Sequence, residues 1–281
     1  MPPAGDDNPA REGDKDQARR GSAPVAVLSP GPGAPEASAA SALAERLGLP
    51  LRPASELTEN ELVLARSDEA LELWAGAGPR QGRARVEWGQ RPGSGRSAEE
   101  ALGQPLQRAI GRSLGLVVDA TAGFGTDAFA LACRGHRVLA LERSPVMAAL
   151  LEDGRARALA DPELREPAAR IEIRWADARQ ALAELDETPD AIYIDPMYPV
   201  PTRAKAALPP LKIQLLRRLV GADLDAESLL EAALATRAHR VVVKRPPAAP
   251  VWPGPLADSH TGKLVRYDVY HSAAPGRTEV I

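Results

Sequence analysis

"LVVDATAGFGTDAFALACRGHRVLALE", residues 116–142, decides the fold class. An aliphatic run ends in Asp119, Gly123 and Gly125 follow, an alanine-rich stretch leads away, and a second aliphatic run ends in Glu142. Near-continuous aliphatic runs mark strands buried on both faces of a parallel sheet. A glycine turn between such a strand and a helix marks a βα unit. Working outward, the rhythm repeats in "ARIEIRWADARQALAEL" and "PDAIYIDPMYP", so strands are expected at 116–119, 137–142, 171–175 and 191–195. "HRVVVKRP" (239–246) and "KLVRYDVYHS" (263–272) supply two later strands. The pattern is α/β, a mostly parallel doubly wound sheet.

Upstream the texture differs. "VAVLSP" (25–30) reads as a short strand, and "ASAASALAERLGLP" reads as a helix stopped by Gly48 and Pro50. "ELVLARSDEALELWAG" and "GRARVEWGQ" carry short alternating segments (Leu62, Leu64; Leu71, Leu73; Val86, Trp88), the pattern of a small antiparallel sheet. The expected organisation is a disordered tail over 1–23, a small N-terminal α+β domain over 24–90, a Gly/Ser/Arg-rich linker over 91–100 and the main α/β domain over 101–275. A helix in "AEEALGQPLQRAIG" is expected to lead into that main domain.

Composition narrows the function classes. A chain of 281 residues with 44% apolar content can bury one sizeable core and a small appended one. Lys+Arg 35 against Asp+Glu 38 leaves a net charge of −3, so no global positive field draws the protein onto nucleic acid and any such contact must be local. One cysteine, Cys133, allows no internal disulfide and suits a reducing cytoplasm. The scattered histidines offer no metal-ligand spacing, and no apolar stretch approaches the roughly 20 residues a membrane span needs. Phe124, Phe129, Cys133 and His136 read as packing or surface residues.

In open α/β sheets ligands bind at the carboxyl ends of the strands, and here four runs stop at or near an acid: Asp119, Glu142, Asp177 and Asp195. Gly123 and Gly125 let the backbone turn tightly beside a ligand. Glu142, about twenty residues beyond the glycines, is placed to accept ribose hydroxyls. Asp177 suits an adenine amino group. A nicotinamide dinucleotide would also fit a ribose carboxylate, but its pyrophosphate favours a third glycine where Ala128 stands. S-adenosyl-L-methionine has an adenosine and no pyrophosphate, and this acid series supplies what it needs. Asp195-Pro196-Met197-Tyr198 adds a carboxylate on a rigid turn and an aromatic face. A carboxylate accepting N–H bonds can favour a pyramidal nitrogen and aim its lone pair, and an aromatic face can stack an unstacked base. An ordinary proline-rich strand end is the competing reading of the same four residues.

"VVDATAGFGTDAFALA", "LERSPVMAALLEDGRARA", "YIDPMYP", "LVGADLDAESLLEAA" and "RVVVKRP", in this order, resemble the bacterial RsmJ-type small-subunit ribosomal RNA (guanine-N2)-methyltransferases. The resemblance is dense from about residue 103 to 247. It implies a class I, Rossmann-like methyltransferase that uses S-adenosyl-L-methionine to methylate the exocyclic N2 of a specific guanosine in 16S rRNA, with rRNA or the 30S subunit as partner. Carried over by position, it implies cofactor contacts at Thr126, Asp127, Glu142, Arg143, Asp177, Ala178 and Asp195. Family members carry arginine where Thr126 stands and a hydroxyl residue where Asp177 stands.

For RNA, Arg203 and Lys205 follow the Asp195 turn, and Lys244 and Arg245 end the next strand at the same sheet edge, where they could hold phosphates. The competing functions are methylation of a protein glutamine or a DNA base amine, a non-catalytic RNA-binding relic of the same fold, and a dinucleotide oxidoreductase.

Overall fold

The structure, a computed structural model, describes residues 23–31, 33–34, 36–76, 82–89, 104–197, 209–221 and 225–272. The expected tail up to residue 22, the linker 91–100, and Tyr198, Arg203 and Lys205 lie outside the described residues.

The chain forms two compact units whose segments alternate along the sequence. The first comprises Met1–Arg66, Leu73–Ala84 and Met197–Asp223. Five strands, β1 Val25–Ser29, β2 Leu51–Pro53, β3 Leu62–Arg66, β4 Leu71–Ala75 and β5 Arg83–Ala84, form a sheet in the order β2-β1-β3-β4-β5. Of the segments expected to form an antiparallel sheet, β4 pairs antiparallel with β5, while Val86 and Trp88 lie outside any strand; β1, for which no partner was expected, pairs parallel with both β2 and β3. The cause is the helix Ala37–Leu47, a crossover between β1 and β2 of the kind parallel neighbours require. Gly48 ends that helix at φ 64°, its N–H returning to the last turn. The amphipathic helix Leu211–Val220 also belongs here, burying Leu215, Leu216 and Leu219.

The second unit comprises Ser67–Glu72, Arg85–Pro196 and Leu224–Ile281. It carries β6 Leu116–Asp119, β7 Arg137–Glu142, β8 Ile171–Trp175, β9 Ala191–Ile194, β10 Arg240–Arg245, β11 Leu256–Thr261 and β12 Arg266–Tyr270. Their order is β11-β12-β10-β9-β6-β7-β8. The five strands from β8 to β10 are parallel, and β12 runs antiparallel to both its neighbours. Val117, Val118, Leu141, Ile192, Ile194, Val241 and Val243 are fully buried, which is why these strands read as aliphatic runs. The chain runs from β6 outward through β7 to β8, then lays β9 on the other side of β6. That reversal opens a crevice at the carboxyl ends of β6 and β9, the place where such sheets bind ligands.

Residues 24–90 and 101–275 are therefore not consecutive bodies. Val86 and Trp88 pack in the second unit, where the Trp88 ring stacks on Phe129 at 5.0 Å and its Nε1 donates to the Phe124 carbonyl at 3.2 Å. The helix Leu211–Val220 returns to the first. No helix among the described residues is long and apolar enough to cross a membrane.

Candidate active site

β6 delivers Asp119 to the carboxyl edge of the sheet, 2% exposed, where its Oδ1 accepts the Thr121 N–H at 3.1 Å. Gly123 and Gly125 then adopt φ 52° and 67°, a region L side chains rarely occupy. The turn closes with the Gly125 N–H donating to the Ala122 carbonyl at 2.7 Å, and the helix Thr126–Cys133 starts with Asp127 in its first turn. At the end of β7, buried Glu142 grips this loop: Oε2 accepts the Gly123 N–H at 2.9 Å and Oε1 the Ser144 N–H at 2.8 Å. The carboxylate expected to meet a ribose therefore also shapes the loop.

Asp195 follows β9 directly. Its N–H donates to Thr121 Oγ1 at 2.7 Å, tying the Asp-Pro-Met turn to the glycine loop. Lys244 Nζ lies 2.7 Å from Asp195 Oδ2 and 3.0 Å from Asp127 Oδ2, and the buried Tyr193 hydroxyl donates to the same Asp127 oxygen at 2.7 Å. Strand register explains the meeting, because β9 and β10 pair Ile194 with Val243, so the next residues, Asp195 and Lys244, leave the sheet side by side. Burial opposes the charge on Lys244, but Asp127 and Asp195 override it and hold the ammonium above its ordinary range. Burial pushes the Asp119 carboxyl up to about 8 against the Thr121 N–H, with repulsion from Asp127 and Asp195 adding to the rise. Burial likewise raises the Tyr267 hydroxyl, to about 12. Three carboxyl groups thus share one lysine in a crevice that favours a further cation.

At the rim, Asp177 caps the short helix Ala178–Ala181 and is held below the usual carboxylate range, first by its hydrogen bond from Arg179. Arg179 and Arg143 both pair with Asp225, at 3.0 and 3.1 Å. Trp175, 56% exposed at the end of β8, donates Nε1 to the Arg143 carbonyl at 3.2 Å. Arg143, Asp177 and Ala178 thus stand at one edge, while Trp175, Arg179 and Asp225 join it without having been singled out in the sequence. A large aromatic at a strand end was the available signal for Trp175; the Asp225 pairings arise only from tertiary contact.

Lys244 and Arg245, expected to hold phosphates at the end of β10, turn to different surroundings. Lys244 is committed to the acids, and Arg245, on the opposite face of the strand, is 3% exposed, lies 4.1 Å over the Trp252 ring and donates to the Pro250 carbonyl at 2.6 Å. Alternation along a strand turns consecutive side chains to opposite faces, so the pair cannot act as one basic patch. Among the described residues no group of three or more His, Cys, Asp or Glu is arranged to hold a metal ion.

A family model described as "Putative SAM-dependent methyltransferase" matches residues 42–272. The ribosomal RNA small subunit methyltransferase J of Pseudomonas aeruginosa is 41% identical over 251 residues, covering 86% of this chain and 93% of that one. That of Thioalkalivibrio sulfidiphilus is 44% identical over 239 residues, covering 82% and 92%. The crystal structure of a SAM-dependent methyltransferase from Neisseria gonorrhoeae is similar with a TM-score of 0.66 at 30% identity, covering 90% of this chain and 97% of that chain.

Proposed function

The chain belongs to the ribosomal RNA small subunit methyltransferase J family of SAM-dependent methyltransferases, and from this premise we propose that it methylates the exocyclic N2 of one guanosine in 16S rRNA. The observation that carries the reading is the junction of Asp195, Lys244, Asp127 and the glycine loop at the crevice between β6 and β9.

The residues fit S-adenosyl-L-methionine. Its methionine end is cationic, and the Asp127 and Asp195 carboxylates present more negative charge than Lys244 neutralises, with the buried Asp119 carboxyl beside them able to ionise against a bound cation. We assign its binding to Asp119, Gly123, Gly125, Thr126, Asp127 and Glu142 in the crevice, with Arg143, Asp177 and Ala178 along the rim and Asp195 at the junction. When bound, it supplies an electrophilic methyl group on a sulfonium sulfur. The guanine amine is a poor nucleophile because its lone pair is delocalised into the ring. Asp195 accepts an N–H of that amine, which favours a pyramidal nitrogen and directs its lone pair away from the carboxylate. Lys244 fixes the carboxylate, and Thr121 fixes its backbone. Pro196 is buried and removes one backbone donor from the turn, so the geometry is held before substrate arrives. Tyr198, three residues beyond Asp195, supplies a stacking face for the unstacked base, and Arg203 and Lys205 contact phosphates of the substrate. Such a substrate places the protein in the cytoplasm.

Methyl transfer from labelled cofactor to unmodified 30S subunits, free 16S rRNA, DNA and a glutamine-bearing release factor tests the reading. Transfer is expected to rRNA, assembled or free, with label released as N2-methylguanosine on digestion. Label in DNA or protein only would overturn it. Asp195→Asn should slow single-turnover transfer by about a hundredfold or more while cofactor affinity changes much less. Tyr198→Ala should act mainly on KM, removing a stacking contact of roughly 1–3 kcal/mol.

A further inference from the structure

At the end of the second unit's sheet where the strands begin, a cavity of about 730 Å³ is lined by Arg108, Arg112, Arg134, Arg240, Gln107 and His136, and by no acidic residue. The arginines come from distant parts of the chain. Arg108 lies in the helix Gln104–Ile110, Arg112 just beyond it, Arg134 after the helix Thr126–Cys133, and Arg240 at the first position of β10. This is the edge opposite the one that carries Asp119 and Asp195. The four residues of β6 between them span roughly 13 Å at the usual rise per residue.

Their pairing sets these arginines apart. Nearby Arg170 and Arg174 pair with Glu166 and Glu172, and Arg137 with Glu187. Among the described residues, Arg108, Arg112 and Arg240 enter no ion pair, and Arg240 reaches only the Arg108 carbonyl, at 3.5 Å. Gly111, at φ 98°, lies beside that guanidinium, in a backbone conformation that L side chains rarely adopt. His136 is 5% exposed, and its Nδ1 is buried without a hydrogen-bond partner. Burial, partly countered by Asp190, lowers its pKa, so the ring adds polar atoms to the wall rather than another neutralising demand. Like charges gathered in a concave site repel one another unless an anion offsets them, and guanidinium forks match phosphate oxygens in geometry. A chain with net charge −3 has no global field to hold RNA, so it needs local sites of this kind.

We propose that this cavity receives the phosphodiester backbone of the RNA substrate, a second anchor at the sheet edge remote from methyl transfer. The proposal rests on the rRNA reading above. It differs from the contacts expected around Asp195, since none of its residues lies near that turn in sequence or on that edge of the sheet.

The test is the double charge reversal Arg108→Glu/Arg112→Glu, both at exposed positions. Binding of a 16S rRNA fragment is measured by fluorescence anisotropy over a salt series, and turnover on unmodified 30S subunits is measured separately. The variant should bind RNA at least about tenfold more weakly, and its slope of log affinity against log salt should shrink by roughly one per lost phosphate contact. Cofactor affinity, measured by calorimetry, should match the wild type. Should the reversal disturb folding, Arg108→Gln/Arg112→Gln should give a smaller change in the same direction. Wild-type RNA affinity and salt slope in a folded variant would overturn the proposal. A wild-type protein that binds rRNA but transfers no methyl group to it would sink the rRNA methylation reading, and the binding arm would still decide the cavity.

Discussion

Lys244 Nζ stands between two carboxylates, Asp195 and Asp127, and its loss should be felt at Asp195 in charge as well as position. Lys244→Met is expected to lower kcat on 30S subunits by about tenfold to a hundredfold, since Asp195 loses the group that orients it. Removing the cation also makes the Asp195 carboxylate harder to form, so the acidic limb of the pH–rate profile should move to higher pH. Lys244→Arg should restore part of both. A fall in kcat with the acidic limb in place would mean that Lys244 only supports the fold. Asp119 gives a second test. Its carboxyl, ordinarily near 3.8, is pushed up to about 8 by burial. The folded state therefore holds that proton more tightly than the unfolded chain. The resulting stabilisation is complete below pH 4 and is lost as pH rises through about 8. A cationic ligand beside it favours the ionised form. Cofactor binding near pH 7 should therefore release protons, read as a buffer-dependent calorimetric enthalpy, and Asp119→Asn should abolish the release. Asp119, Glu142 and Asp195 were legible in the sequence because each ends an aliphatic run at the ligand-binding edge. The role of Lys244 was not, because it depends on pairing β9 with β10 across 49 residues of chain.

β6, the glycine turn and the helix after it act as one element, and Gly125 is where backbone and packing demands coincide. At φ 67° it is left-handed, and a Cβ there would sit 2.7 Å from Leu151 Cδ2 and 3.0 Å from Trp88 Cζ2. Gly125→Ala should lose roughly 1–2 kcal/mol to the backbone conformation and a further 1–3 kcal/mol to overpacking, read from the urea midpoint at unchanged m. Cofactor affinity should fall as well, since the displaced loop is the one Glu142 holds. A variant as stable as the wild type would show that the turn relaxes freely. β6 and β7, mostly buried on both faces, match the aliphatic runs, β9 stops one residue short, at Ile194, and the edge strand β8 matches as well although most of its residues are exposed. β11, "LADSHT", escaped notice because it is an edge strand whose residues are mostly exposed and carry no apolar period. The parallel pairing of β1 was missed for a different reason. Short apolar segments reveal a strand's existence but not its neighbour, which here is chosen by the crossover helix Ala37–Leu47.

Over the whole chain, what sequence order hides is which segments share a body. Residues 197–223 follow β9 yet join the first unit, while 85–89 precede the second unit's own helix and strands yet pack within that unit. Apolar periodicity shows that a segment such as Leu211–Val220 has a face to bury, with Leu215, Leu216 and Leu219 on it, but not which core takes that face. The acids and the glycine loop all belong to the second unit, so that unit alone bears the binding linkage. A ligand that binds only the folded form at about a hundredfold above its Kd stabilises it by roughly 2.7 kcal/mol. For a chain of this size that corresponds to a rise in Tm of about 4–5 °C, more if the second unit melts separately. S-adenosyl-L-methionine should therefore raise the melting transition reported by Trp88 and Trp175, which lie in that unit. Glu142→Ala removes the acceptor for the Gly123 and Ser144 N–H groups as well as the proposed ribose contact. Its transition should begin lower and the cofactor-induced rise should largely vanish. Glu142→Gln keeps one acceptor oxygen for the loop, so it should recover more of the starting Tm than of the rise. Equal recovery of both by Glu142→Gln would mean that Glu142 serves the loop alone and that the ribose contact lies elsewhere.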